Sequence, residues 1–157
     1  TLGSWQKNTQ YKPTFLLDML IKFPGHNIVY VDIDAEFKQY PVLFDSLTDC
    51  KQIAAHQLNH RCHTKRERPN ELLSGTLFLP NTSNVHTIIK QWIEQCKSNP
   101  TEWDQRVLEK VVGSDYYFLP EEYCFIFDYK YSREIKPIIV HYQASRAAKR
   151  KERTIKK

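Results

Sequence analysis

The sequence predicts a single α/β domain, and three observations carry that expectation. An amphipathic helical pattern over residues 14–22 runs through the turn Pro24-Gly25-His26-Asn27 into the apolar run Ile28-Val29-Tyr30-Val31. Such α-then-β units with short connections belong to layered α/β architectures. Apolar, β-branched runs then alternate with two further helical patterns along the rest of the chain. Finally, 157 residues with 41% apolar and 13% aromatic content suffice for one real core. No internal repeat or second domain is visible.

Taken in order, residues 1–13 read as a loop and helix lead-in, punctuated by Gly3, Asn8 and Pro13, with Trp5 as packing. Lys12 and Pro13 precede the helix over 14–22, and Pro suits a first helical turn. The strand that follows delivers Asp32 and Asp34. In a strand, residues i and i+2 point to one side, so both carboxylates are expected to face one point. Two acids at the end of a buried strand form an oxygen-rich place for a hard divalent ion, Mn²⁺ or Mg²⁺. A general acid/base pair or a turn cap are the alternatives.

Residues 40–47 read as a short helix or turn and 52–56 as a second strand. Residues 59–71 form a polar, basic segment, read as a surface loop, a basic rim beside an anionic ligand, or an acceptor loop. A third strand over 72–80 carries Gly75 in its middle, which marks a close approach or a strand irregularity. Asn84 is expected to cap a helix over 85–97, with Ile88, Ile89, Trp92, Ile93 and Cys96 inward. A second helix opens at 102–105, buries Val107, Leu108, Val111 and Val112, and ends at Gly113. Short strands follow over 116–120, 123–127 and 137–142. The last delivers His141 at its end, a plausible third ligand for the two acids.

The net charge of +5 is concentrated in RAAKRKERTIKK, residues 146–157, and the remainder is nearly neutral. We therefore expect a domain over 1–145 and a basic tail over 146–157, either a solvated end or an arm for nucleic acid or anionic lipid. No apolar run approaches the roughly 18–20 residues that span a bilayer. No secretory leader is visible, and the absent initiator Met reads as a fragment or processed form. A cytoplasmic protein, at most peripheral to a membrane, is expected, with Cys50, Cys62, Cys96 and Cys124 reduced. Cys50, His56, His60, Cys62 and His63 are zinc-ligand types, but their spacing fits no common zinc module.

In order along the chain stand YVDIDAEF, LLSGTLFLP, W-I-E-Q, EWDQRVL and IIVHYQASR. This series, over about residues 3–146, resembles GT-A nucleotide-diphospho-sugar glycosyltransferases, most closely the glycogenin/galactosyltransferase-like group. The resemblance implies a GT-A-like mixed sheet flanked by helices. It also implies metal-dependent transfer of a sugar, with retention, from a nucleoside diphosphate sugar to an acceptor hydroxyl. Asp34 is then the direct metal ligand, Asp32 is shared between metal and donor, and His141 completes the site. Ser74, Gly75 and Thr76 fall under the donor sugar, with Gly75 allowing its approach. Asp104 and Gln105 fall on the reacting face. Apart from the resemblance, Lys12 and Arg146 carry charge that could neutralise a metal-bound diphosphate, the alternatives being a solvated lysine and a residue of the basic tail, and Ser145 and Arg146 are candidate phosphate contacts by position.

The chain departs from that pattern twice. Residues 1–13 do not read as the first strand that binds the nucleotide base, so a first βα unit looks absent. After His141 the family's Gly and Lys-Pro-Trp are replaced by Tyr-Gln-Ala-Ser-Arg. The expected donor is a UDP-sugar, and the acceptor a glycan, a lipid-linked glycan or a modified nucleic acid. Two competing readings are a metal-dependent phosphoryl enzyme acting on nucleic acid and a non-catalytic nucleotide-sugar-binding module.

Overall fold

The computed structural model describes residues 5–59, 70–129 and 134–143. Helix α1 (Trp5–Gln10) leads into α2 (Lys12–Lys22), with Pro13 in its first turn. The expected lead-in is thus helical from residue 5, and Lys12 belongs to α2 itself. Strands β1 (Ile28–Val31) and β2 (Ala35–Phe37) follow, then the short α3 (Val42–Ser46), β3 (Ala54–Leu58) and β4 (Glu71–Leu79). The long α4 (Ser83–Ser98) and α5 (Asp104–Val112) come next. Short pieces finish the chain: β5 (Tyr117–Phe118), a 3₁₀ turn (Glu121–Tyr123), β6 (Phe125–Ile126) and β7 (Ile139–His141).

Two sheets result. The larger has the order β1-β4-β3-β5, antiparallel except for the β3–β5 pair. The smaller has the order β2-β7-β6, with β2–β7 antiparallel and β6–β7 parallel. Helices α2, α4 and α5 cover one face of the larger sheet. Leu16 and Leu20 from α2 meet Ile89 and Trp92 from α4, Leu108 from α5 and Leu77 and Leu79 from β4 in one core. Each such side chain contributes about 1.5–3 kcal/mol by leaving water. The other face carries Ala54 and Phe78 against Phe44, Leu119, Tyr123 and Ile139, so a second core joins the two sheets.

Several boundaries differ from expectation for local reasons. Thr82, not Asn84, caps α4. It is extended, and its hydroxyl accepts the Val85 N–H at 3.3 Å, the geometry an N-cap needs. The strand expected over 123–127 begins instead as the 3₁₀ turn, since Pro120 and the two glutamates favour a tight start. Gly113 ends α5 as expected, with φ of 60°. Strand β1 is an edge strand and only half-buried, not the fully buried strand its apolar run suggested.

Strand β4 holds the departure that matters most. Its pairing with β3 slips between Ala55 and His56: Ala55 faces Leu77, but His56 faces Leu73. The three residues Ser74, Gly75 and Thr76 therefore bulge out of the β3–β4 ladder, the kind of irregularity that re-aims side chains beside active sites.

Candidate metal and donor site

Asp32 and Asp34 do meet, but a turn brings them together instead of strand alternation. The Ala35 N–H donates to the Asp32 carbonyl at 2.9 Å, closing a turn at the end of β1 whose inner residue Ile33 is fully exposed. Asp is favoured at the first position of such turns. Both ends are pinned: Asp32 N–H donates to Gly75 O at 2.8 Å, and Tyr142 N–H to Asp34 O at 3.0 Å. The turn is thereby stapled to β4 on one side and to the end of β7 on the other. The same-side rule holds instead for Tyr30 and Asp32, whose hydroxyl and carboxylate are 2.7 Å apart. Tyr30 was not singled out from the sequence, although that rule pointed to it.

His141 arrives on β7, opposite Ala35. One ligand atom from each of Asp32, Asp34 and His141 lies within 4.8 Å of the other two. Among the described residues this is the one such group of three. Burial lowers the His141 pKa against the opposing pull of Asp32 and Asp34, which favours a neutral ring with a lone pair to offer. Two carboxylates and an imidazole suit Mn²⁺, and with less preference for nitrogen Mg²⁺. Gly75 makes the group possible. A Cβ there would stand 2.9 Å from His141 Cε1, 3.1 Å from Nδ1 and 3.2 Å from Asp32 Oδ2. The close approach expected at Gly75 is thus one by the histidine and the acid.

Asp32 also belongs to a second cluster. Lys12 Nζ lies 3.1 Å from Asp32 Oδ1 and 3.2 Å from Asp104 Oδ2. It also donates to the Ser74 carbonyl and hydroxyl at 3.2 and 3.1 Å, and sits over the Tyr30 ring. The Lys12 side chain is only 9% exposed. Burial alone would lower its pKa, but Asp104 and Asp32 outweigh that and the net shift is upward. Lys12 is a buried, charged hub joining α2 to the Asp32–Asp34–His141 corner, not a solvated lysine at a helix start. Tyr30 is pushed upward by burial, with Lys12 opposing and Asp32 adding to the shift.

Asp104 and Gln105, at the start of α5, both turn inward. Asp104 is 6% exposed in its side chain and accepts the Ser74 hydroxyl at 3.3 Å. Its carbonyl accepts the Trp92 indole N–H at 2.8 Å. Gln105 accepts the Ser74 N–H at 3.1 Å and donates to Glu71. Ser74 thus faces the helical layer. Thr76, two residues on, faces the opposite side, 2.8 Å from His141 Nε2. Ordinary alternation would place both on one side, and the bulge separates them.

The remaining expected residues do not join. Ser145 and Arg146 lie outside the described residues, as do His60, Cys62 and His63. Of the zinc-type group, Cys50 donates to Gln52 O, and the His56 Nδ1 pairs with Leu119 O at 2.8 Å. Cys50, Cys96 and Cys124 are free thiols. Burial pushes the Cys124 thiol up to about 12.

A mixed sheet that presents two acids and a histidine beside a bulged strand is the arrangement of a GT-A-like glycosyltransferase. A family model for nucleotide-diphospho-sugar transferases matches residues 4–155, and the chain belongs to that family. No curated protein matches the chain. Fourteen solved chains do. One is a glycosyltransferase involved in the glycosylation of the major capsid of PBCV-1, with a TM-score of 0.64 and 13% identity over 96% of this chain and 77% of that one. Another is the glycosyltransferase GlyE of Streptococcus pneumoniae TIGR4, with a TM-score of 0.58 and 19% identity over 90% of this chain and 37% of that one. At these identities the likeness is one of fold.

Proposed function

We propose that this chain transfers a sugar from a nucleoside diphosphate donor to an acceptor hydroxyl at the Asp32–Asp34–His141 corner, with a divalent cation bound there. The observation that carries this reading is the convergence of those three side chains around Gly75, in a chain of the nucleotide-diphospho-sugar transferase family. When bound, the cation neutralises charge growing on the leaving diphosphate. Asp34 and His141 serve as its ligands, and Asp32 divides its oxygens between that corner and Lys12. Lys12 holds Asp32 and Asp104 in register, a positioning task that its burial fits better than direct contact with phosphate.

Ser74, Gly75 and Thr76 form the bulged floor below the donor. Asp104 and Gln105 brace that floor from the helical side and set the reacting face by their hold on Ser74. Retention of configuration is part of the proposal, with no side chain assigned as a covalent nucleophile. A UDP-sugar donor, a glycan or lipid-linked glycan acceptor and a reducing, cytoplasmic setting complete it. Among the described residues no helix is long and apolar enough to cross a membrane. We assign the catalytic domain to residues 1–145, and the basic tail from 146 to an anionic surface.

The test is a donor screen by mass spectrometry with Mn²⁺, repeated after chelation. Release of nucleoside diphosphate with sugar appearing on an acceptor, lost with chelator and restored by Mn²⁺, is expected. Turnover unchanged by chelation would sink the metal assignment. Nucleotide binding without turnover would favour a binding module.

A further inference from the structure

The Asp32–Asp34–His141 corner rests on a buried polar layer that holds the histidine ring. Behind the His141 ring lie Thr76 and Cys124, 0% and 3% exposed, with the ring itself at 3%. Thr76 Oγ1 is 2.8 Å from His141 Nε2. On the ring's other side, Gly75 leaves room for Cε1 and Nδ1 and no more. Nε2 is therefore turned into the protein, while Nδ1 is the nitrogen near Gly75 and the Asp32 carboxylate.

Hydrogen-bond arithmetic gives this arrangement a direction. A threonine hydroxyl has one proton to give and two lone pairs. As an acceptor from the ring it leaves Nδ1, the nitrogen on the Gly75 and Asp32 side, to supply the lone pair that a cation held by the two acids needs. An accepting hydroxyl requires the N–H on Nε2, and the lone pair then resides on Nδ1.

We propose that Thr76 is a positioning residue that locks His141 in its Nε2–H form and presents Nδ1 as the metal-binding atom. The proposal rests on the metal reading above, and the ring spectra test Thr76's hold on His141 separately from metal binding. Partners of this kind orient a metal-bound histidine, and their loss typically costs about 10–100-fold in metal affinity. Thr76 lies on the part of β4 that stays in register with β1 and shares the face of Phe78, which packs with Ile139 of β7, the strand that carries His141.

The experiment uses the whole chain and two readouts. Long-range ¹H–¹⁵N correlation spectra of the histidine rings, taken without metal and assigned with a His141→Gln variant, report the tautomer. Titration calorimetry with Mn²⁺ alone reports affinity. Wild type is expected to show Nε2–H at His141, Thr76→Ser to keep both form and affinity, and Thr76→Val to lose the pure tautomer and bind Mn²⁺ about 10–100-fold more weakly. Thr76→Ala gives the same comparison if the valine variant does not fold, with thermal unfolding confirming each variant. An Nδ1–H ring in wild type, or a hydroxyl-free variant that binds Mn²⁺ as wild type does, overturns the proposal. If wild type binds no Mn²⁺, the metal reading fails. The ring spectra still decide Thr76's part: Nε2–H lost on removing the hydroxyl upholds its hold on the ring, and an unchanged ring refutes it.

Discussion

Two polar clusters meet at Asp32, and they are built on opposite terms. On one side, Lys12 is buried with Asp104, and its ammonium is surrounded by two carboxylates, a carbonyl and a hydroxyl. That cluster is closed and internally matched. On the other, Asp32 (37% exposed in its side chain) and Asp34 share an open corner with a neutral histidine. Lys12 is divided between Asp32 and Asp104, so it cannot neutralise every acid. The closed cluster is a strut. The open one has ligand capacity that a cation can use.

If this contrast is right, the closed cluster should fail as structure and the open one as function. The largest effect is expected from Lys12→Met, which leaves Asp104 buried without its cation. Breaking a buried pair from one side costs about 3–5 kcal/mol, read as a drop in thermal or denaturant midpoint. Its pH dependence has a definite sign. The folded Lys12 pKa lies above its ordinary 10.5, so the stabilisation is complete below that value and is lost as pH rises through the folded one. The stability gap between wild type and Lys12→Met should therefore stay constant from neutral pH to about 10 and narrow only above it. A gap that narrows between pH 7 and 9 would contradict the buried charge.

Asp34→Asn should do the reverse. We expect sugar transfer to fall at least about 100-fold, as for loss of one group that stabilises transition-state charge, with little change in melting temperature. Mn²⁺ should no longer raise that temperature, since a ligand stabilises only the state it binds. A variant that melts early but transfers normally would reverse the contrast.

Gly75→Ala probes the seam between the clusters. Its Cβ would press on the His141 ring and the Asp32 carboxylate together. The ring cannot retreat without leaving Thr76. Overpacking of this kind costs about 1–3 kcal/mol, and Mn²⁺ binding should weaken in parallel. Smallest and purely structural is Thr82→Ala, which removes the α4 cap. It should cost about 1 kcal/mol in a denaturant titration and leave kcat unchanged.

The sequence made the helices legible because their signals are local. Ile88, Ile89, Trp92 and Cys96 repeat at helical spacing and need no distant partner to be read. The site was legible as residue types in order: two acids, Ser-Gly-Thr, Asp-Gln and a late histidine. How those side chains face was not legible, because strand alternation is a rule for regular strands. Asp32 and Asp34 sit in a turn, so the i, i+2 argument gave the right pair for the wrong reason, and a bulge puts Ser74 and Thr76 on opposite faces, which that rule does not foresee. The zinc-type group shows the same limit, since Cys50 and His56 bond to main-chain oxygens that their spacing never indicated.

By itself, then, the sequence determined the α/β class, the helical layer and the chemical identity of the acids and histidine, since propensity, periodicity and ligand chemistry reside in single residues and their near neighbours. Only the tertiary structure decided that Lys12 is buried between Asp32 and Asp104, that Gly75 makes room for His141, and that Thr76 turns to the histidine. Each of these depends on where a backbone sixty or more residues away finally packs, and that leaves no local trace in the chain.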